Sequence, residues 1–159
     1  MLTLESINEA RKRISSRIHR TPVVTSHTFN ERCGKEVFFK CENFQRAGAF
    51  KIRGAINKIQ SLTPEEKQRG IVAFSSGNHA QAVALAGKEA GTRVVVAMPN
   101  DAPKMKVAGT RGYGAEIIFY DRLSEDREKF ASNLAEREQL VIVPGKHREP
   151  VHCGASRAA

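Results

Sequence analysis

Ile71-Val72-Ala73-Phe74-Ser75-Ser76-Gly77-Asn78-His79-Ala80-Gln81 opens the most regular part of the chain. Four apolar residues read as a short buried strand, and the small polar run 75–78 reads as a turn. The alanine-rich stretch 78–90, closed by Gly91, reads as a helix. The pattern then recurs. Runs 94–98, 116–120 and 140–143 are strand-like, and stretches 103–113 and 124–138 between them are helical. Short apolar runs alternating with helices imply βαβ units, with a parallel sheet covered on both faces and right-handed crossovers. The fold class read here is α/β, a three-layer αβα arrangement around a four-stranded parallel sheet, in a small domain spanning residues 70–144.

Upstream, residues 4–18 carry apolar side chains at three- and four-residue steps and predict an amphipathic helix stopped by Thr21-Pro22. A short helix over 26–32 ends at Gly34, and 37–42 is strand-like. A helix is predicted over 51–61, with Ile52, Ala55, Ile56 and Ile59 as its apolar stripe. Thr63-Pro64-Glu65-Glu66 has the capping-box pattern, with proline at the first helical position. Residues 1–69 form a layer apart from the periodic region, and 145–159 are basic and aperiodic.

The 159 residues suffice for a packed core, and no apolar run approaches a membrane span. The first residues lack the basic-then-apolar layout of a signal peptide, so the expected location is cytoplasmic, with no membrane partner. Cys33, Cys41 and Cys153 lack paired spacing, and His147, His152 and Cys153 sit in no regular element, so neither a disulfide framework nor a metal site is expected. The net charge of +9 could mean a nucleic-acid partner, but the cations are dispersed among acids and no aromatic platform accompanies them. The expectation is no nucleic acid, and attraction for small anions.

Two stretches could carry chemistry. In Gly48-Ala49-Phe50-Lys51-Ile52-Arg53-Gly54-Ala55 a lysine stands at the mouth of a predicted helix, near Arg53 and Lys40. A helix start and neighbouring cations favour a neutral amine, which can attack an aldehyde. The alternative is a solvated surface lysine. Ser75, Ser76, Gly77, Asn78 and His79 lie between a strand and a helix, where α/β sheets bind ligands. Backbone N–H groups, hydroxyls and the helix dipole could cradle a carboxylate or phosphate. Alternatively, Ser76 or Asn78 only caps the helix.

Together with Glu42-Asn43-Phe44-Gln45, Met98-Pro99-Asn100-Asp101-Ala102-Pro103 and Arg111-Gly112-Tyr113-Gly114-Ala115, these stretches resemble the fold-type II pyridoxal-phosphate enzymes. The similarity, over about residues 4–144, is to the serine/threonine dehydratase, serine racemase and threo-3-hydroxyaspartate dehydratase group. It implies pyridoxal 5'-phosphate as cofactor, a small amino-acid substrate, and release of a 2-oxo acid and ammonia from a β-hydroxy amino acid such as L-threonine or L-serine. Racemisation of serine, or dehydration of threo-3-hydroxyaspartate, is the alternative.

By resemblance, Lys51 holds the cofactor as a Schiff base and shuttles the α-proton. Phe50 packs on the pyridine ring and Asn78 bonds its hydroxyl. Ser75, Ser76, Gly77, Asn78 and His79 surround the substrate carboxylate, with Ser76 the acid/base on the other face. Arg127 either reads a β-carboxylate or is a surface arginine among Glu125, Asp126 and Glu128. Residues 1–69 then belong to an incomplete large domain. Members are longer than this chain, and the expectation is a truncated or frame-shifted product without the glycine-rich phosphate loop. A non-catalytic fragment binding a small anion or a partner chain is the reading from another class. Homo-oligomers are expected of full-length members.

Overall fold

The computed structural model describes residues 3–145. Four parallel strands, β3 (Ile71–Phe74), β4 (Val94–Pro99), β5 (Glu116–Tyr120) and β6 (Val141–Ile142), form one sheet in the order β5-β4-β3-β6. Ile71 pairs with Val94 on one side and with Val141 on the other. The chain steps outward from β3 to β4 to β5, then crosses back to lay β6 on the opposite side of β3. The expected four-stranded parallel α/β sheet is therefore present.

Alternation along the strands divides the core in two. Ile71, Ala73, Val94, Val96 and Met98 face α5 (Asn78–Ala90), against which α3 (Lys51–Gln60) packs in turn. Val72 and Val95 point the other way, onto Leu134 and Ala135 of α7 (Arg127–Glu138). Both faces of β3 and β4 are thus buried, which is why these strands read as unbroken apolar runs. α6 (Lys104–Gly112) packs beside α5. Small residues let these layers approach. A Cβ at Gly87 of α5 would come within 2.1 Å of Val94 Cγ2.

α1 (Leu4–Ile14) is shorter than the apolar period suggests, because the chain tightens into a 3-10 turn at Ser15–Arg17. Residues before Ile71 are not all a separate layer. Ile14 of α1 and Ile52, Ile56 and Ile59 of α3 join the core cluster that covers the sheet. Arg13 ties the two helices by donating to Asn57 Oδ1 at 2.9 Å. α2 (His27–Cys33) ends at left-handed Gly34, and α4 (Pro64–Arg69) has the capping box of Thr63 and Glu66. β1 (Val23–Thr25) and β2 (Phe38–Lys40) stand apart from the core, as an antiparallel pair with every residue exposed. No helix among the described residues is long and apolar enough to cross a membrane.

Candidate active site

A cleft of ≈ 980 Å³ opens at the carboxyl ends of all four parallel strands. Phe74 from β3, Pro99 from β4, Tyr120 from β5 and Ile142 from β6 contribute to its walls. β4 and β6 lie on either side of β3 and the connections leave in opposite directions, so this is the switch point where such sheets open a crevice. The cleft gathers Lys51, Ser75, Ser76, Gly77, Asn78, His79 and Arg127. Seven residues from three separate stretches of sequence therefore share one site.

The Lys51 side reaches the cleft through an irregular turn. Ala47 and Gly48 both adopt left-handed backbone, at φ 56° and φ 67°. No atom lies within 4 Å of a Cβ built on Gly48, so its glycine serves the dihedral and not a close approach. Alanine at a positive φ is strained by about 1 kcal/mol or more, a cost that folds concentrate near functional sites. Lys51 then begins α3, which has no side-chain cap. Its Nζ donates to Gly145 O at 3.2 Å and lies 5.1 Å from the Phe50 ring centroid.

Two sequence expectations change here. Arg53 is not an open cation beside Lys51. It makes a two-pronged contact with Glu42, at 2.8 and 2.7 Å. Lys40 donates to Thr21 O at 2.7 Å. Each of those charges has its own partner, because the turn holding Glu42 folds back over α3. Phe50 is 48% exposed, and its ring lies against the Lys51 ammonium, 5.1 Å from centroid to Nζ.

The second side is built on the turn after β3. Ser75 N continues the sheet by donating to Ala97 O at 3.1 Å, and Ser75 Oγ accepts from Gly77 N at 3.2 Å. Gly77 is the N-cap of α5, with no side-chain cap. Neither Ser76 nor Asn78 caps the helix, so the capping alternative fails and the start of a 13-residue helix faces the cleft. That is the arrangement that binds carboxylate and phosphate.

His79 is buried, and its Nε2 lies 3.3 Å from Val143 O. A carbonyl only accepts, so Nε2 carries the proton and donates. The ring also packs on Gly145, where a Cβ would be 3.2 Å from Cδ2. His79 thereby anchors the segment after β6 as a wall of the cleft. The carboxamide oxygen of Asn78 accepts from Lys106 Nζ at 2.6 Å, leaving its NH2 for a ligand. Arg127 is the first residue of α7, whose start is capped by Asp126 accepting from Glu128 N and Lys129 N. This cap shortens the helix predicted from residue 124, since Ser124 bonds back to Asp121.

Lys106, Arg122 and Gly145 are site features that sequence reading missed. Arg122 lines the cleft and pairs with Asp101 at 2.6 Å. The signal for Arg122 was its place just past the end of β5. Gly145 and Lys106 left no comparable signal, because they reach the site through tertiary packing. His147, His152 and Cys153, and the stretch 146–159, lie outside the described residues.

The sequence of this chain matches the model of the pyridoxal-phosphate dependent enzymes over residues 14–159. The chain belongs to that family. Serine racemase of Schizosaccharomyces pombe is 48% identical over 157 residues, which is 99% of this chain and 49% of the relative. L-threo-3-hydroxyaspartate ammonia-lyase of Saccharomyces cerevisiae is 45% identical, over 99% of this chain and 48% of the relative. The crystal structure of serine racemase from Dictyostelium discoideum superposes with a TM-score of 0.87 at 43% identity, covering 96% of this chain and 50% of the other. The chain thus spans about half the length of the relatives it matches, and the family to which it belongs is pyridoxal-phosphate dependent.

The residues present fit this cofactor on its aldehyde side. They offer one primary amine, Lys51 Nζ, an amide NH2 at Asn78 and an uncapped helix start, all on a single cleft.

Proposed function

We propose that this chain carries the Schiff-base lysine and the carboxylate-binding turn of a pyridoxal-phosphate-dependent ammonia-lyase that converts a small β-hydroxy amino acid, such as L-threonine or L-serine, to a 2-oxo acid and ammonia. The observation that carries this reading is the meeting of Lys51 with Ser75, Ser76, Gly77 and Asn78 in one cleft. Pyridoxal phosphate, when bound, withdraws electrons from the substrate α-carbon, so that proton loss and departure of the β-hydroxyl become feasible. Lys51 Nζ would hold it and afterwards carry the α-proton. The helix start of α5, with the Ser75 and Ser76 hydroxyls, would bind and orient the substrate carboxylate. Asn78 would donate through its NH2. A proton returned from Ser76 on the opposite side would give racemisation instead of elimination, and the products separate the two outcomes.

Incubation with pyridoxal phosphate followed by borohydride should leave a mass-tagged Lys51, and Lys51→Ala should leave none. A wild-type chain without the tag overturns the reading. With L-serine or L-threonine the loaded chain should release a 2-oxo acid and ammonia; D-serine without 2-oxo acid would favour the racemase.

Arg127 favours a dicarboxylate within the same reaction class. It shares the cleft with Lys51, and a guanidinium grips a carboxylate with two parallel bonds. Arg127→Ala should lower turnover of threo-3-hydroxyaspartate about tenfold or more while sparing serine and threonine. Equal losses on all three substrates would sink this specificity.

A further inference from the structure

Asn78 presents two chemically opposite atoms on one flat group. A carbonyl oxygen toward a ligand demands a donor there, and an NH2 demands an acceptor. What decides between them here is a residue of the neighbouring helix. Lys106 Nζ donates to Asn78 Oδ1 at 2.6 Å and to Gln81 Oε1 at 3.1 Å. An ammonium can only donate, so both carboxamides must turn their oxygens toward it. Asn78 and Gln81 lie three residues apart and so share one face of α5. Gly109, on the same helix as Lys106, leaves the space that Gln81 fills: a Cβ there would lie 2.1 Å from Gln81 Nε2. The three polar groups therefore form a set with one consistent assignment of donors and acceptors.

We propose that Lys106 is a positioning residue, which locks the Asn78 carboxamide with its NH2 presented to the cleft, so that the site selects a ligand atom that accepts a hydrogen bond. The orientation stands on the contacts above. The identity of the accepting atom, the deprotonated ring oxygen of pyridoxal phosphate, rests on the proposed function. The positive charge of Lys106, one carboxamide away, also favours an anionic acceptor.

The test has two arms. In the first, the side-chain NH2 signals of Asn78 are followed by nitrogen-15 NMR in the chain without cofactor, assigned by their loss in Asn78→Ala. Lys106→Met should move these signals toward the positions of a free amide and speed their hydrogen exchange, and Lys106→Arg should restore them. Unchanged signals in Lys106→Met overturn the orientation. In the second arm, the absorbance of the Lys51-bound cofactor is titrated with pH. Lys106→Met should raise the midpoint by about 1 pH unit, because an anion that loses a donor and a nearby cation holds its proton more tightly. Lys106→Arg should return it. If borohydride tags Lys51 equally in wild type and Lys106→Met and the midpoints agree, the cofactor part falls. If wild type takes up no cofactor, the proposed function falls, and the NMR arm still decides the orientation.

Discussion

At the scale of single residues, Glu42 shows how the turn before Lys51 is held. Its carboxylate accepts from both Arg53 nitrogens and from Thr21 Oγ1 at 2.6 Å, with the pair largely shielded from solvent. The Arg53 hydrogen bond, aided by Thr21 and opposed by burial, holds the Glu42 carboxyl below its ordinary 4.5. A folded value below the unfolded one means the pair contributes its full stability above the unfolded value. That contribution is lost as pH falls through the depressed folded value. Glu42→Gln should cost about 1.5–3 kcal/mol at neutral pH. It should also flatten the decline of stability below about pH 4.5, as urea denaturation at stepped pH would reveal. A variant with the wild-type pH dependence would show that Glu42 is not the titrating group.

At the scale of elements, the spacing between α5 and the sheet depends on one missing side chain. Val94 Cγ2 sits where a Cβ on Gly87 would be, and a β-branched strand residue has little rotamer freedom to yield. Gly87→Ala should therefore destabilise the fold by about 1–3 kcal/mol despite the better helix propensity of alanine, measurable as a lower urea midpoint. α7 depends on its start. Asp126 satisfies two backbone N–H groups and places Arg127 at the cleft. Asp126→Ala should cost about 1 kcal/mol in the same measurement.

At the scale of the whole molecule, two regions differ in kind. The central strands β3 and β4 are packed on both faces, while β1 and β2 expose Val23, Val24, Phe38 and Phe39. One face of that pair is partly shielded, where Phe29 of α2 meets Phe39 edge-on at 5.1 Å. Phe38, 55% exposed, lies on the other face with Thr25, its register partner. Exposed apolar strands with open edges promote association. Phe38→Thr should reduce concentration-dependent light scattering and leave the melting temperature within about 2 °C, a shift expected of a neutral surface change. Undiminished scattering would place the association elsewhere.

Much of this was legible along the chain, because strand and helix periods are local. Ile71 to Phe74 and Val94 to Met98 are unbroken apolar runs since both faces are covered, and Thr63 with Glu66 announces a helix start by side chains three residues apart. Lys51 and the Ser75–Asn78 turn were also visible, as unusual residues at element boundaries. What was not legible depends on partners distant in sequence. Lys106 meets Asn78 across 28 positions, and Gly145 O meets Lys51 across 94. No local pattern encodes such a contact. Arg53, read as a free cation, proved to be neutralised by Glu42 because the intervening turn reverses the chain. The sequence by itself determined the βαβ alternation, the helix caps and the reactive residue types, since these follow from nearest neighbours. Only the tertiary structure decided which way the Asn78 amide points, what holds the Lys51 amine and that Arg127 shares their cleft, since each depends on elements that meet only when the sheet has closed around its switch point.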